Sequence, residues 1–135
     1  MKTPKDVKVP VFEAQAFLDS AGVARKVKKF KRTEVIYSQG DAAKNVMYLQ
    51  GGGVKLTVVN ELGKEAVVAI LGPGDFFGEG CLAGQSIRMG TATAIMPSAV
   101  LVIDKSQMRK VLHEQHGLSD RFIAFRRVST TLRQV

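Results

Sequence analysis

Tryptophan is absent from this chain, cysteine occurs once and histidine twice. No apolar run approaches the ~20 residues that a membrane-spanning helix needs. The single thiol, Cys81, excludes an internal disulfide and cannot by itself complete the four-cysteine ligation of an iron–sulfur cluster. The two histidines fall together in His113-Glu114-Gln115-His116, one residue short of the zinc-protease spacing, so they would not share a helix face as metal ligands. Confined to one helix end, they also leave no Ser/His/Asp set to assemble. Neither a metal site nor a catalytic residue is expected, and the chain reads as a non-enzyme. The polar, basic opening Met1 to Pro10 lacks the apolar stretch of a secretory signal, so the expectation is a cytoplasmic chain without membrane association.

What is present is the composition of one ordinary globular core: 135 residues, 45% hydrophobic and 24% charged. Gly 13 against Pro 4 favours many tight turns between short strands. The formal net charge of +8 would favour any polyanion, whether nucleotide, nucleic acid or acidic membrane, and does not choose among them. Much of it lies in Arg25, Lys26, Lys28, Lys29, Lys31 and Arg32, broken only by Val27 and Phe30. Without the aromatic interleaving of a base-stacking surface, this run reads as a solvated strand and loop face.

The order of elements follows from turn residues and periodicity. A first helix is expected over Val11–Ala21, behind Pro10 and stopped by Gly22. Short β-like runs then fill Val23 to Ile103. Val54–Val59 and Glu65–Leu71 flank a turn at Asn60–Gly63 and read as a hairpin. Thr91–Met96 and Ala99–Ile103 flank Pro97 and Ser98 and read as a second pair. Asp104 with Gln107 resembles a capping box for a helix running to about His113. A last helix after Gly117 carries Leu118, Phe122, Phe125 and Leu132, a seam that suits either a homodimer contact or packing on its own roll.

The chemistry is concentrated in Leu71 to Ala94, LGPGDFFGEGCLAGQSIRMGTATA. Gly72, Gly74, Gly78 and Gly80 permit sharp turns and close approach of a ligand, while Phe76 and Phe77 anchor the segment. A short helical turn from Glu79 would direct N–H groups toward an anion. Arg88 is placed to supply a forked cation to the same anion, and Glu79, an acceptor-only carboxylate, could hold a sugar hydroxyl. The alternative for Glu79 and Arg88 is a surface ion pair on a turn.

Leu71 to Glu79 resembles the L-x-x-G-D-x-F-G-E opening of the phosphate-binding cassette in cyclic-nucleotide-binding domains, with Arg88 where that family places its phosphate-binding arginine. Gln39-Gly40-Asp41, Met47 to Gly51, Lys55-Leu56-Thr57 and Gly63-Lys64-Glu65 likewise resemble earlier turns and the hairpin of Crp/Fnr-type transcription regulators. The resemblance implies a mainly β fold: a jelly-roll-like, eight-stranded roll with flanking N- and C-terminal helices. It divides the chain into a flexible N-terminus (1–10), the roll (11–117) and an interface-type C-terminal helix (118–135), with no helix-turn-helix after it. It implies a ligand site of Gly78, Glu79, Gly80, Cys81, Leu82, Arg88 and Met89. The implied effector is a cyclic nucleotide such as cyclic AMP or cyclic GMP, with no obligatory cofactor. The implied partners are a second copy through the C-terminal helix, and DNA only through a DNA-binding domain that this chain lacks. Departures from cyclic-AMP-binding members are Glu79-Gly80-Cys81-Leu82 in place of Glu-Leu-Ala-Leu, and Met89 where Ser or Ala follows the arginine. A base-contacting Thr-Ser pair of the interface helix falls by counting on Arg133 and Gln134. The reading from another class is a ligand-free roll serving as an interaction scaffold for a protein or nucleic acid, which Gly80 and Met89 favour.

Overall fold

Alternating side chains place apolar groups on both sides of a strand only where both sides are covered, and two segments of this chain have that pattern. The computed structural model describes residues 25 to 114 of the protein. In order these are β1 (Arg25–Phe30), β2 (Val35–Tyr37), β3 (Asn45–Gly51), β4 (Val54–Val59), β5 (Glu65–Leu71), β6 (Phe76–Phe77), a 3-10 helix (Glu79–Ala83), β7 (Thr91–Ala94), β8 (Ser98–Asp104) and α1 (Lys105–Glu114). The strands form two antiparallel four-stranded sheets, in the orders β1-β8-β3-β6 and β2-β7-β4-β5.

The doubly covered strands are β3 and β8, paired with Met47 opposite Val102 and Tyr48 opposite Leu101. Val46, Tyr48, Leu101 and Ile103 face one side and pack with Met108 of α1. Met47, Leu49 and Val100 face the other and pack with Val54, Leu56, Leu71 and Ala92 of the second sheet. The two-residue strand β6 serves both: Phe76 enters the first cluster and Phe77 the second, each fully buried. The roll therefore has an interior between its sheets and a second core under α1.

The expected hairpin is β4–β5, with Val59 opposite Glu65. Its turn is organised by Asn60, whose Oδ1 accepts from Leu62 N at 2.8 Å and Lys64 N at 3.0 Å. The second expected pair is corrected: β7 joins the sheet of β2 and β4, whereas β8 joins that of β1 and β3. The residues between them carry the chain from one sheet to the other. Ile95 N bonds Gly53 O at 3.0 Å, and the Ser98 hydroxyl donates to Gly53 O and accepts from Gly53 N, both at 3.1 Å. These contacts end β7 at Ala94, short of the expected Met96.

α1 starts where the sequence places it. Asp104 Oδ2 accepts from Ser106 N at 3.0 Å and also from the Ser106 hydroxyl, and these bonds hold its carboxyl below the ordinary aspartate range. Gln107 makes no side-chain return bond among the described residues, so only the acceptor half of the box forms. The basic run lies on β1, which pairs with β8 alone. Lys26, Lys28 and Lys29 are exposed there, as a solvated edge requires, and lysines on an edge discourage pairing with other chains. The expected helix at 11–21 and the Leu118–Leu132 seam lie outside the described residues.

Removing a fully buried ring costs transfer energy and leaves a cavity. Phe77→Ala should lower unfolding stability by about 3 to 5 kcal/mol in a denaturant melt. Val67→Ala, on the exposed face of β5, should change it by less than about 0.5 kcal/mol.

Candidate ligand-binding cassette

The segment between β5 and β7 is held from both ends. At its start, Leu49 N bonds Asp75 O at 2.9 Å and Gly74 N bonds Leu49 O at 2.8 Å, fixing the Gly72–Asp75 turn to β3. Asp75 Oδ2 closes that turn by accepting from Gly72 N at 2.9 Å. At its end, Arg88 N bonds Asp41 O at 2.7 Å, Gly40 N bonds Arg88 O at 2.8 Å, and Ala43 N bonds Ser86 O at 2.9 Å. The chain around Gln39-Gly40-Asp41 is thus the rail on which Arg88 is mounted.

From that rail the Arg88 side chain turns inward and is 5% exposed. Its Nη1 donates to Gly78 O at 2.9 Å and its Nη2 to Asn45 O at 2.8 Å. Its Cζ lies 4.2 Å from the centre of the Tyr37 ring, a cation–π distance. Gly78 is required twice: its φ is 72°, and a Cβ there would come within 2.7 Å of Arg88 Nη1. No described carboxylate pairs with this guanidinium.

Glu79 is 8% exposed, and no hydrogen bond of its carboxylate occurs among the described residues. It is therefore no surface ion pair with Arg88, and the sequence alternative for these two residues fails because both are buried and they do not meet. Cys81 is buried in the core under α1, its Sγ–H directed at Asn45 O (3.6 Å) and Gly78 O (3.5 Å), the same two carbonyls that Arg88 uses. Burial pushes this thiol above its ordinary pKa, against the opposing pull of Arg88, Lys105 and Arg109. Leu82 packs against the same core beside Leu112.

One small cavity of about 10 Å³ is lined by Tyr37, Ala43, Gly78, Gly80, Cys81, Gln85, Ile87, Arg88 and Met89. The structure so brings together five of the seven sequence-derived residues, Gly78, Gly80, Cys81, Arg88 and Met89. Glu79 and Leu82 flank the cavity without lining it. Met89 stands half-exposed at the rim. Sequence reasoning missed Tyr37, Gln85 and the Asn45 carbonyl. A larger groove of about 580 Å³ lies on the outer face of the second sheet, among Arg32, Lys55 and Thr93, and contains none of the cassette residues. Among the described residues no three His, Cys, Asp or Glu side chains group as metal ligands, and no helix is long and apolar enough to cross a membrane.

This cassette on this roll defines a cyclic-nucleotide-binding domain. The chain matches the cyclic nucleotide-binding domain family over residues 27–115 and belongs to it. The global nitrogen regulator of Synechocystis sp. is 37% identical over 95 residues, covering 69% of this chain and 42% of that protein. The cAMP-activated global transcriptional regulator CRP of Pasteurella multocida is 29% identical over 112 residues, 81% of this chain and 54% of that protein. In fold, the chain is similar to the c-di-GMP responsive global regulator CLP of Xanthomonas campestris, with a TM-score of 0.78 over 88% of this chain and 58% of that one, at 16% identity. The bacterial relatives named here are regulators of the Crp/Fnr type, and the matched family is one of cyclic-nucleotide-binding domains. The chain spans about half the length of the curated relatives it matches.

The burial of Cys81 has a pH signature. Its folded pKa is raised, so its contribution to stability is fully present below the ordinary thiol pKa and is lost as pH rises through the raised folded value. A thiol reagent at pH 8 should label Cys81 far more slowly in the folded protein than in denaturant. Equal rates would show the thiol to be exposed.

Proposed function

We propose that this chain is the effector-sensing domain of a Crp/Fnr-like transcription regulator, binding a cyclic nucleotide such as cyclic AMP or cyclic GMP in the Gly78–Met89 cassette. The observation that carries this reading is the Arg88 guanidinium, a buried cation whose partners are two neutral carbonyls and a ring. A buried charge without a counter-charge is costly, and an incoming anion relieves that cost. Of the five N–H donors of a guanidinium, the bonds to Gly78 and Asn45 use one each. The others have no acceptor among the described residues and are free for phosphate oxygens. Glu79, on the same turn, is the acceptor for a ribose hydroxyl. The choice of cyclic AMP draws support from relatives named as cAMP-activated.

The signal would pass to α1 and the segment after it. Arg109 Nη2 donates to Cys81 O at 3.1 Å and Leu82 O at 3.5 Å, so α1 grips the 3-10 helix of the cassette by its carbonyls. Movement of that turn then moves α1, and through the C-terminal helix a homodimer contact and a DNA-binding module.

The small volume of the cavity favours a second reading, a roll that binds no nucleotide and serves as an interaction scaffold. A thermal-shift screen separates the two. A nucleotide at a hundred times its dissociation constant adds about 2.7 kcal/mol of stability, whereas the scaffold gains nothing.

Arg88→Leu should remove about 2 to 5 kcal/mol of binding if the phosphate pair is buried. It should also destabilise the fold, by about 1 to 3 kcal/mol, since it leaves the Gly78 and Asn45 carbonyls with only the weak Cys81 thiol donor to share. Glu79→Gln supplies the cleaner comparison because its carboxylate holds no protein partner. It should weaken binding less than Arg88→Leu, and the effect should shrink for a 2′-deoxy analogue. Calorimetric titration of folded variants measures both, and unchanged affinity in Arg88→Leu would remove the cassette assignment.

A further inference from the structure

Glycine at position 80 is not required by its own backbone, since its φ lies outside the left-handed region. It is required by Gln85. A Cβ built on Gly80 would overlap Gln85 Oε1 and lie 2.9 Å from Gln85 Cδ, and its three nearest neighbours are all atoms of Gln85. Gly84, at φ 94°, turns the chain after the 3-10 helix, and Gln85 N then bonds Gly80 O at 3.2 Å. Main chain and side chain together fold residue 85 back over residue 80.

The carboxamide thus fills the space that a side chain at 80 would occupy, on the wall of the cavity shared with Gly78 and Arg88. What remains, about 10 Å³, holds about one water. Sites for small ligands run to about 300–1,000 Å³. Gln85 is exposed to solvent, and neither its Oε1 nor its Nε2 has a hydrogen-bond partner among the described residues. Nothing but packing keeps it in the slot. A side chain rooted at position 80 would be a fixed wall, whereas a glutamine reaching back from position 85 is removable, and its departure leaves a bare glycine that admits a bulky ligand group.

We infer that Gln85 is an affinity-determining residue of the cassette: its side chain occupies the ligand's place over Gly80, and a cyclic nucleotide binds by displacing it. This rests on the nucleotide reading proposed above. It also makes positions 80 and 85 a coupled pair, for either a truncation at 85 or a methyl at 80 clears Gln85 from the slot. If the slot is open about a tenth of the time, removing the plug tightens apparent affinity about tenfold.

The test uses the whole chain with cyclic AMP and cyclic GMP as probes. In the free protein, NOEs should connect the Gln85 side chain to the Gly80 α protons and vanish on saturation with nucleotide. Their absence from the free protein would overturn the inference without touching the nucleotide reading. Gln85→Ala should bind about tenfold tighter, Gly80→Ala should also bind tighter than the parent, and the double variant should bind no tighter than Gln85→Ala. An affinity for Gln85→Ala equal to or below the parent's, or additive gains in the double variant, would overturn it. NOEs present with no nucleotide bound by any variant would instead overturn the nucleotide reading and reduce the contact to packing.

Discussion

The fork of Arg88 on the carbonyls of Gly78 and Asn45 is the interaction on which the arrangement of the cassette depends. Those two acceptors belong to different parts of the roll, one to the turn after β6 and the other to the first residue of β3. Tyr37, at the end of β2 in the opposite sheet, covers the guanidinium. One planar side chain thereby ties together both sheets and the ligand turn. Lysine could not do this, because an ammonium lacks the two parallel donors and the flat face. The same geometry leaves a positive charge buried without a counter-charge among the described residues, so the group that holds the fold is also the one proposed to receive an anion.

A second consequence concerns what surrounds the cation. Cys81 aims at the same two carbonyls as Arg88, and its neighbours in the core include Met108 of α1. Arg109, one residue on, returns to the carbonyls of Cys81 and Leu82. The cassette is therefore not a loop laid on the surface. Its outer side meets the small cavity beside Arg88 and its inner side is packed against α1.

Much of this was legible in the sequence where the signal is local. The β4–β5 hairpin shows because two β-branched runs flank Asn60 and Gly63, and the residues that make the turn lie within it. Asp104 announces α1 for the same reason. The glycines and the Arg88 position point to the cassette because the free N–H groups of a glycine turn beside a forked cation suit an anion. What could not be read is what depends on distant parts of the chain. Asn45 and Arg88 meet across 43 residues, and a main-chain carbonyl leaves no trace in residue identity. Tyr37 reads as an ordinary strand aromatic. The pairing of β7 with β8 was misread because Pro97-Ser98 has the composition of a hairpin turn, whereas contacts with Gly53, far away in sequence, make it a crossing between sheets. Gly80 reads in the sequence as a turn glycine and as a departure from cyclic-AMP-binding members, but its φ needs no glycine, and its physical reason, the side chain of Gln85, becomes visible only in three dimensions.

The central claim is that the Arg88 guanidinium, held by the protein's own carbonyls, is the receptor for a cyclic phosphate. The most direct measurement is a heteronuclear NMR titration of the chain with cyclic AMP and cyclic GMP that follows the backbone amides together with the Arg88 Nε–H. Saturable shifts are expected at Gly78–Met89 and Arg88 Nε–H, with Tyr37 and Arg109 responding less. Shifts centred on the outer groove of Arg32, Lys55 and Thr93, or no saturable shift with either nucleotide, would contradict it.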